Sequence, residues 1–588
     1  MTLRGEAETF ASPNLPTRIF NLASKEMNRG QNPNGGSPTA ALLLGVSFFA
    51  VASYWPQVMG GTPDAADDLY TGFFKLMGGV AMLGGLGGYY KAWQQREKRK
   101  ASEQTSGTFG EAAFATLEEC ENAGLLDPKG LYLGLLDGQP LFYKGKAHLL
   151  LVAPARQGKG IGIVTPNMEH YDGSAVVTDP KGELAAMTAA HRRERLGQDV
   201  AVFNPWGLHG LQQDRINPLE NLIAMAGDPA RQRGLTDEVK AIVMQLFPEP
   251  EDTRNQFFRE GSRAIMRAVL LYLSLCAPKR CTLPEMWRII ANPKRLERTV
   301  DAMCREDVLG GILADLGDDL AHQMEDNPDL FGDFRAGAIQ YLSIYEPGGY
   351  LADAVSASDI SLADLKTGNV TLYLAFPPDK IASHGAALGL IVNQAITAVA
   401  RSKDKGEVLF MLDEFANIGK LAGLAESLTA LPGLGVRVWM IVQELAELVR
   451  IYGPNTAKTI QSQAEVRQFF AVNSAELAQS LSRELGQKTV KTKNHNLGRS
   501  DTDEIGESLS ETGQPLMRPE EIMQLGQGQQ LLLVKGVKPI LGERIPFWFV
   551  SPWREWATVN PVEGDFPDVK PLVRLSYELA REKKGGKP

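Results

Sequence analysis

Residues 147–162 read Ala147-His-Leu-Leu-Leu-Val-Ala-Pro-Ala-Arg-Gln-Gly-Lys-Gly-Ile-Gly162, an apolar run that ends in a turn of small residues. The pattern predicts a buried strand, a loop and the start of a helix. In a phosphate loop, backbone N–H groups and the helix N-terminus surround the phosphates, and a lysine reaches the β- and γ-phosphate oxygens. The match to GxxxxGK[ST] is imperfect, because Ala153 replaces the first glycine and Gly160 stands where Ser or Thr would hold magnesium. A chance Gly-Lys turn is the alternative.

Two later apolar runs each end in polar residues suited to nucleotide chemistry. Glu407-Val-Leu-Phe-Met-Leu-Asp-Glu-Phe415 predicts a buried strand that ends at Asp413 and Glu414. In P-loop motors an aspartate at a strand end binds magnesium, and an adjacent glutamate can act as general base. A third run ends at Gln443, whose amide would contact the γ-phosphate and report hydrolysis. The alternatives are two carboxylates at a helix N-cap and a glutamine that only begins a helix.

Between these segments, Gly173-Ser-Ala-Val-Val-Thr-Asp179 predicts another strand. Strands that alternate with helices predict an α/β fold with a parallel sheet, whose carboxyl ends line one crevice. Asp179 would lie on that edge, where it either helps to hold magnesium or only shapes the loop. The predicted site residues are Lys159, Glu414 and Gln443 for catalysis, Asp413 and Asp179 for Mg²⁺, and Ala153, Pro154, Ala155, Arg156, Gln157, Gly158, Lys159, Gly160 and Ile161 for ATP.

Two stretches near the N-terminus are long enough to cross a bilayer. Residues 39–63 carry no charge, and residues 69–90 are interrupted only by Lys75; about 20 apolar residues span the hydrocarbon core as a helix. The connection between them is acidic, whereas residues 91–100 contain five basic residues and one acid. The positive-inside rule therefore places both termini in the cytoplasm. A buried helical hairpin in a soluble core is the alternative.

Composition excludes several classes of protein. The chain has 588 residues, 44% of them hydrophobic and 22% charged, which are ordinary globular values. A net charge of −9 excludes a polycation that coats nucleic acid by bulk electrostatics. The four cysteines are too few for a disulfide scaffold and form no CxxC pair. The seven histidines show no metal-ligand spacing.

Several motifs together resemble the TraG-type coupling proteins of type IV secretion and conjugation. They are Ala153-Pro-Ala-Arg-Gln-Gly-Lys-Gly, Thr165-Pro-Asn, Val176-Val-Thr-Asp-Pro-Lys-Gly-Glu, Asp364-Leu-Lys-Thr-Gly-Asn-Val-Thr-Leu-Tyr-Leu-Ala-Phe-Pro-Pro-Asp, Leu412-Asp-Glu-Phe, Val442-Gln443, Ala471-Val-Asn-Ser and Arg518-Pro-Glu-Glu-Ile. The resemblance covers roughly residues 105–550, and the GKG variant of the loop is familiar in this family.

The resemblance implies a RecA-like P-loop ATPase domain, an inserted all-α domain and an N-terminal two-helix membrane anchor. It implies an inner-membrane homo-hexamer that docks relaxase-bound single-stranded DNA, or effector proteins, to the secretion channel. Lys159, Asp413, Glu414 and Gln443 match the family's phosphate-binding, magnesium, catalytic and sensor positions. The arginine finger is not identified; Arg437 lies on the right strand, but a structural ion pair explains it equally well.

The expected domain organisation follows from the resemblance and from the change of pattern along the chain. It comprises a cytoplasmic segment (1–38), the two-helix anchor with a short periplasmic turn (39–93), a first nucleotide-binding segment (94–205), the all-α domain (206–350), a second nucleotide-binding segment (351–560) and a tail (561–588). Residues 487–517 are polar and predict a long loop, either a surface insertion or a DNA-gripping pore loop. Two other functions stay open: an FtsK-like DNA translocase, and a substrate receptor that binds ATP without motor activity.

Overall fold

The computed structural model describes residues 45–46, 48, 52–53, 71–73, 75–77, 79–83, 106–248, 255–367, 369–421, 423–496 and 506–575. Most residues of the two predicted membrane spans, and residues 576–588 of the predicted tail, lie outside these residues. The anchor therefore stays a prediction. Residues of either span that are described are helical. Among the described residues, one helix, Pro378–Arg401, is long and apolar enough to cross a membrane, but Leu390 and Ile391 at its centre are fully buried in the protein core.

The chain divides into two compact units, residues 1–111 with 487–514 and residues 112–486 with 515–588. The second unit contains a sheet of eleven strands. The strands of the whole described chain are β1 Leu131–Leu136, β2 Gln139–Tyr143, β3 His148–Val152, β4 Ser174–Asp179, β5 Asp199–Phe203, β6 Val370–Ala375, β7 Val408–Leu412, β8 Val436–Val442, β9 Ala464–Phe469, β10 Gln487–Asn496, β11 Gly506–Pro515, β12 Gln529–Val534, β13 Ile540–Glu543, β14 Val550–Ser551 and β15 Val573–Arg574.

The strand order in the sheet is β2-β1-β13-β12-β9-β3-β8-β7-β4-β6-β5. All neighbours from β9 to β5 are parallel. The parallel sheet predicted from the sequence is therefore present. The four strands on the β2 side are antiparallel, which was not predicted.

Continuous apolar runs explain the parallel strands, because such strands are covered on both faces and need no polar alternation. Every residue of β3, β7 and β8 is buried. Alternate residues face opposite sides, so Leu150 and Val152 join one hydrophobic core while Leu149 and Leu151 join the other.

Helices cover both faces of the sheet. They are α1 Leu117–Asn122, α2 Thr165–His170, α3 Glu183–Glu194, α4 Glu220–Ala226, α5 Leu235–Leu246, α6 Gln256–Cys276, α7 Leu283–Ala291, α8 Pro293–Met303, α9 Ile312–Asp326, α10 Pro328–Leu342, α11 Tyr350–Ala354, α12 Pro378–Arg401, α13 Leu424–Ser427, α14 Leu445–Tyr452, α15 Pro454–Gln463, α16 Ala475–Leu485, α17 Pro519–Met523 and α18 Trp553–Trp556. In the described portion of residues 204–369 there are helices and no strand. The predicted domain boundaries themselves stay predictions.

The polar segment 487–517 differs from the predicted loop. Residues 487–496 and 506–515 form β10 and β11, which pair as a two-stranded sheet. The physical reason is local: Thr489, Val490 and Thr492 are β-branched, and β-branched residues favour extended backbone even where the sequence is polar.

Candidate nucleotide-binding site

The predicted phosphate loop lies between β3 and a helix, as its sequence pattern requires. The strand ends at Val152, and a π-helical turn over Gly160–Val164 leads into α2. Gly158 has a φ of +76° and Arg156 a φ of +61°, values that L-residues with side chains rarely adopt. The N–H of Gly162 donates to the Gly158 carbonyl at 2.8 Å, which closes the loop onto the first helical turn.

Lys159, the loop lysine, lies beside both carboxylates that follow β7. Its Nζ is 2.8 Å from Asp413 Oδ1 and 3.3 Å from Glu414 Oε1. Burial by itself would lower the pKa of Lys159, but the two carboxylates outweigh burial and raise that pKa above its ordinary value. For Asp413 burial outweighs the contact with Lys159, and its pKa is raised. The ammonium therefore stays charged and is held at the end of β7.

Glu414 is the centre of the hydrogen-bond network at this site. Gln443 Nε2 donates to its two carboxylate oxygens at 2.9 and 3.0 Å, and Asn417 Nδ2 donates to Oε2 at 2.8 Å. The Glu414 backbone has a φ of +53°, a left-handed conformation that is costly for a residue with a side chain. Strained backbone of this kind persists where surrounding contacts fix it, and it concentrates at functional sites.

Strand order explains why residues so distant in sequence meet. Strand β8 lies between β3 and β7, so Gln443 at its end is placed between the lysine of the loop and the glutamate after β7. The Gln443 N–H donates to Glu447 Oε2 at 3.1 Å, which fixes the start of α14. We refer to the ends of β3, β4, β7 and β8 as the carboxyl edge.

Asp179 ends β4 on the same edge, but its contacts are local. Its Oδ2 accepts a hydrogen bond from the Ala185 N–H at 2.8 Å and so caps α3. Burial raises the pKa of Asp179 to about 6. Two roles were considered for Asp179, holding magnesium and shaping the loop, and the hydrogen bond from the Ala185 N–H favours the second.

The carboxyl edge opens into a cavity of about 750 Å³. Predicted residues that line it are Ala155, Arg156, Gly158, Lys159, Gly160, Ile161, Asp179, Asp413 and Glu414. Ala153, Pro154 and Gln157 do not line this cavity, and Gln443 lines an adjoining one with Glu414. Ala153 instead ties the loop to the sheet, because its N–H donates to the Val442 carbonyl at 3.0 Å.

The chemistry of these groups fits a nucleotide with magnesium. Within the described residues, no group of three or more His, Cys, Asp or Glu side chains is arranged to hold a metal ion. Magnesium in nucleotide sites does not need one, since it is bound by one or two carboxylates together with phosphate oxygens and water. Asp413, at the end of β7 and in contact with Lys159, is the carboxylate suited to that role.

The contributors to the site that were not predicted include three polar side chains. Thr178 Oγ1 donates to the Asp413 carbonyl at 2.7 Å, Asn417 bonds Glu414, and Asn560 lines the cavity. Of these three, only Asn417 was indicated by the sequence, because it follows Glu414 by three residues and so lies within one turn of it. Arg437, considered for the arginine finger, forms an ion pair with Glu407 at 2.9 Å. Arg437 lies at the start of β8 and Glu407 immediately precedes β7, so both are away from the carboxyl edge.

Comparisons with known proteins agree with this architecture. Residues 100–564 match the family model described as type IV secretory system conjugative DNA transfer. The chain is 26% identical to protein VirD4 of Rhizobium radiobacter over 488 residues, which are 80% of this chain and 68% of that protein. It is 26% identical to conjugal transfer protein TraG of Escherichia coli over 501 residues, covering 75% of this chain and 77% of that protein.

The fold is also that of a solved structure. The plasmid coupling protein TrwB in complex with ADP and Mg²⁺ superposes with a TM-score of 0.52 at 14% identity, over 74% of this chain and 94% of that chain. A likeness at this identity shows the fold, an α/β architecture with a large, mostly parallel sheet. Because the family model spans most of the sequence, the chain belongs to the type IV secretory system conjugative DNA-transfer family.

Proposed function

We propose that this chain is an ATP-hydrolysing coupling protein that delivers relaxase-bound single-stranded DNA, or effector proteins, to a type IV secretion channel. Family membership and the conjugal-transfer relatives support the transfer role. The observation that carries the ATPase role is the contact of Lys159, Asp413, Glu414 and Gln443 at the carboxyl edge.

Each of these residues has a role that follows from its contacts. Lys159 would exchange its carboxylate partners for the β- and γ-phosphate oxygens of ATP, which carry more negative charge. Asp413 would hold Mg²⁺, which neutralises charge on the phosphates when bound. Glu414 would take a proton from the attacking water, and Gln443, bonded to the same carboxylate, would orient that water and respond to loss of the γ-phosphate.

The assembly in the cell belongs to the same proposal. Residues 39–93 would anchor the chain in the inner membrane with both termini in the cytoplasm. The nucleotide-binding segments 94–205 and 351–560 would flank the all-α domain 206–350, and the chain would act as a homo-hexamer. The channel of such a ring would concentrate a few basic residues, which is compatible with the net negative charge of the chain.

The test uses the full-length chain in nanodiscs, with ATP hydrolysis measured with and without single-stranded DNA. Lys159→Ala is expected to abolish nucleotide binding, hydrolysis and substrate transfer between cells. The matched control is Lys144→Ala, since Lys144 is an exposed lysine whose partner is Asp127 at 2.6 Å. It should leave all three measurements unchanged.

Several outcomes separate this proposal from its alternatives. Hydrolysis and transfer that survive Lys159→Ala would refute the motor. Transfer that needs ATP binding but no turnover would indicate the receptor without motor activity. Stimulation by duplex DNA, with no requirement for a relaxase, would indicate an FtsK-like translocase.

A further inference from the structure

Arg544, which follows β13, is a buried cation with no anionic partner among the residues that the structure describes. Its side chain belongs to a residue that is only 8% exposed, and its Nε is buried with no hydrogen-bond acceptor. The described residues give its guanidinium no ion pair; its contact is with the ring of Phe470, whose centroid lies 4.4 Å from Cζ. Arginine is rarely buried without a partner, because an unpaired charge in the interior is costly. The burial of Arg544 therefore calls for a negatively charged group that the described part of the chain does not supply.

The guanidinium of Arg544 lies against the phosphate loop. Its Nη1 would be 3.0 Å from a Cβ atom on Gly158, the residue before Lys159. The Cβ of Arg544 would be 3.7 Å from one on Gly162, in the first turn after the loop. A loop and helix start of this kind bind anions through backbone N–H groups. Two independent features, the unpartnered arginine and the loop, thus point to one anionic ligand.

Strand order fixes the side from which Arg544 approaches. Phe470 follows β9, which neighbours β3 on one side, whereas β8 and β7 lie on the other side. The carboxylates of Asp413 and Glu414 and the amide of Gln443 belong to that other side. Arg544 is therefore separated by the loop from the residues placed to act on the γ-phosphate.

We propose that Arg544 is a nucleotide-binding residue of the same chain, whose guanidinium contacts a phosphate that ATP and ADP share. This inference rests on the proposed function, because it requires that the loop bind a nucleotide. A planar guanidinium donates two parallel N–H bonds to phosphate oxygens, and stacking on the ring of Phe470 holds the plane in place. Arg544 is a binding residue and not a catalytic one.

The test compares the binding of ATP, ADP and adenosine to full-length wild type and Arg544→Met in nanodiscs, by competition with a fluorescent nucleotide. The Kd for ATP and for ADP should rise together by about 10- to 100-fold, the range for a lost charge-assisted hydrogen bond. The Kd for adenosine should not change, and kcat at saturating ATP should stay within about threefold of wild type.

Two controls make the result specific. Arg437→Met removes another buried arginine, whose partner is Glu407, and should leave every Kd unchanged. Lys159→Ala should lose binding of both phosphorylated ligands. If Arg544→Met does not fold, Arg544→Lys takes its place, since lysine keeps the charge but loses the paired N–H geometry. Its Kd values for ATP and ADP should rise equally, and by less than those expected for Arg544→Met.

The inference is overturned if the Arg544 variants bind ATP and ADP as wild type does while Lys159→Ala does not; Arg544 would then be a structural cation held by Phe470. A loss of affinity for ATP alone would also overturn the inference, because that result would assign the contact of Arg544 to the γ-phosphate. If wild type itself binds no nucleotide, the proposed function fails and this inference fails with it.

Discussion

Replacing Glu414 by glutamine removes the carboxylate on which three side chains at the carboxyl edge converge. Its oxygens accept hydrogen bonds from Gln443 at 2.9 and 3.0 Å, from Asn417 at 2.8 Å and from Lys159 at 3.3 Å. The glutamine keeps the volume and one acceptor, but its NH₂ group faces donors and cannot take a proton from water. At least one charge-assisted hydrogen bond of about 1.5–3 kcal/mol is lost.

The expected effect of Glu414→Gln is a loss of turnover without a loss of binding. Loss of a general base lowers the rate by about 10²- to 10⁴-fold. ATP affinity should stay the same or increase, since one negative charge is removed from beside the phosphates. Phosphate release in the presence of single-stranded DNA measures the hydrolysis rate, and titration with a fluorescent ATP analogue measures the affinity for ATP.

The matched control is Glu447→Gln, on the adjacent helix α14. Glu447 accepts the Gln443 backbone N–H at 3.1 Å, and glutamine retains an oxygen for that bond. Its hydrolysis rate should stay within about threefold of wild type. If Glu414→Gln kept more than a third of wild-type activity, Glu414 would not be the base. An equal loss in Glu447→Gln would instead show that only the position of Gln443 matters.

Three further predictions concern the sensor, the loop and the core. Gln443→Ala should lower kcat by about a hundredfold, because the attacking water loses its position, with ADP affinity unchanged; a changed ADP Kd with normal kcat would contradict it. Gly158→Ala forces a φ of +76° on a residue with a Cβ, which costs about 1–2 kcal/mol of local strain, and places that Cβ 3.0 Å from Arg544 Nη1. The affinity for nucleotide should therefore fall, which a titration would measure. Arg192 is buried and donates to four acceptors at 2.7–2.8 Å. Arg192→Met leaves these buried acceptors without that donor, so the free energy of unfolding should fall by about 3–5 kcal/mol, which a lower thermal unfolding temperature would show. Its exposed neighbour provides the control Arg193→Met, and equal unfolding temperatures for the two would contradict the prediction.

The parallel half of the sheet was predictable because its strands are continuous apolar runs that end in polar residues. The antiparallel pairing was not predicted, and in β9 and β12 polar side chains break the apolar pattern. Gln530 in β12 is fully buried and donates to the Leu133 carbonyl at 2.7 Å, and Gln468 in β9 donates to the same carbonyl at 2.8 Å. A buried glutamine whose amide is hydrogen-bonded to a strand distant in sequence cannot be distinguished, from the sequence alone, from a glutamine on the surface.

The site was predictable where a local motif carries the chemistry. Lys159, Asp413 and Glu414 belong to segments whose strand–loop pattern is visible in the sequence, and the structure places them in contact. Thr178 contacts Asp413, and Arg544 lies beside Gly158, only because of the tertiary fold, and nothing in their immediate sequence distinguishes them from structural residues. Such residues are found only when the strand order is known.

The position of β3 between β8 and β9 has a consequence for synthesis of the chain. Strand β3 ends at Val152, but its two neighbours begin only at Val436 and Ala464. At about 5–20 residues per second, a ribosome needs roughly 15–60 s to make the intervening segment. Throughout that interval β3 has two unpaired edges and the phosphate loop has no sheet to hold it. The nascent chain therefore exposes an aggregation-prone apolar strand for most of its translation, and a chaperone that shields residues near 148–152 would raise the yield of folded protein.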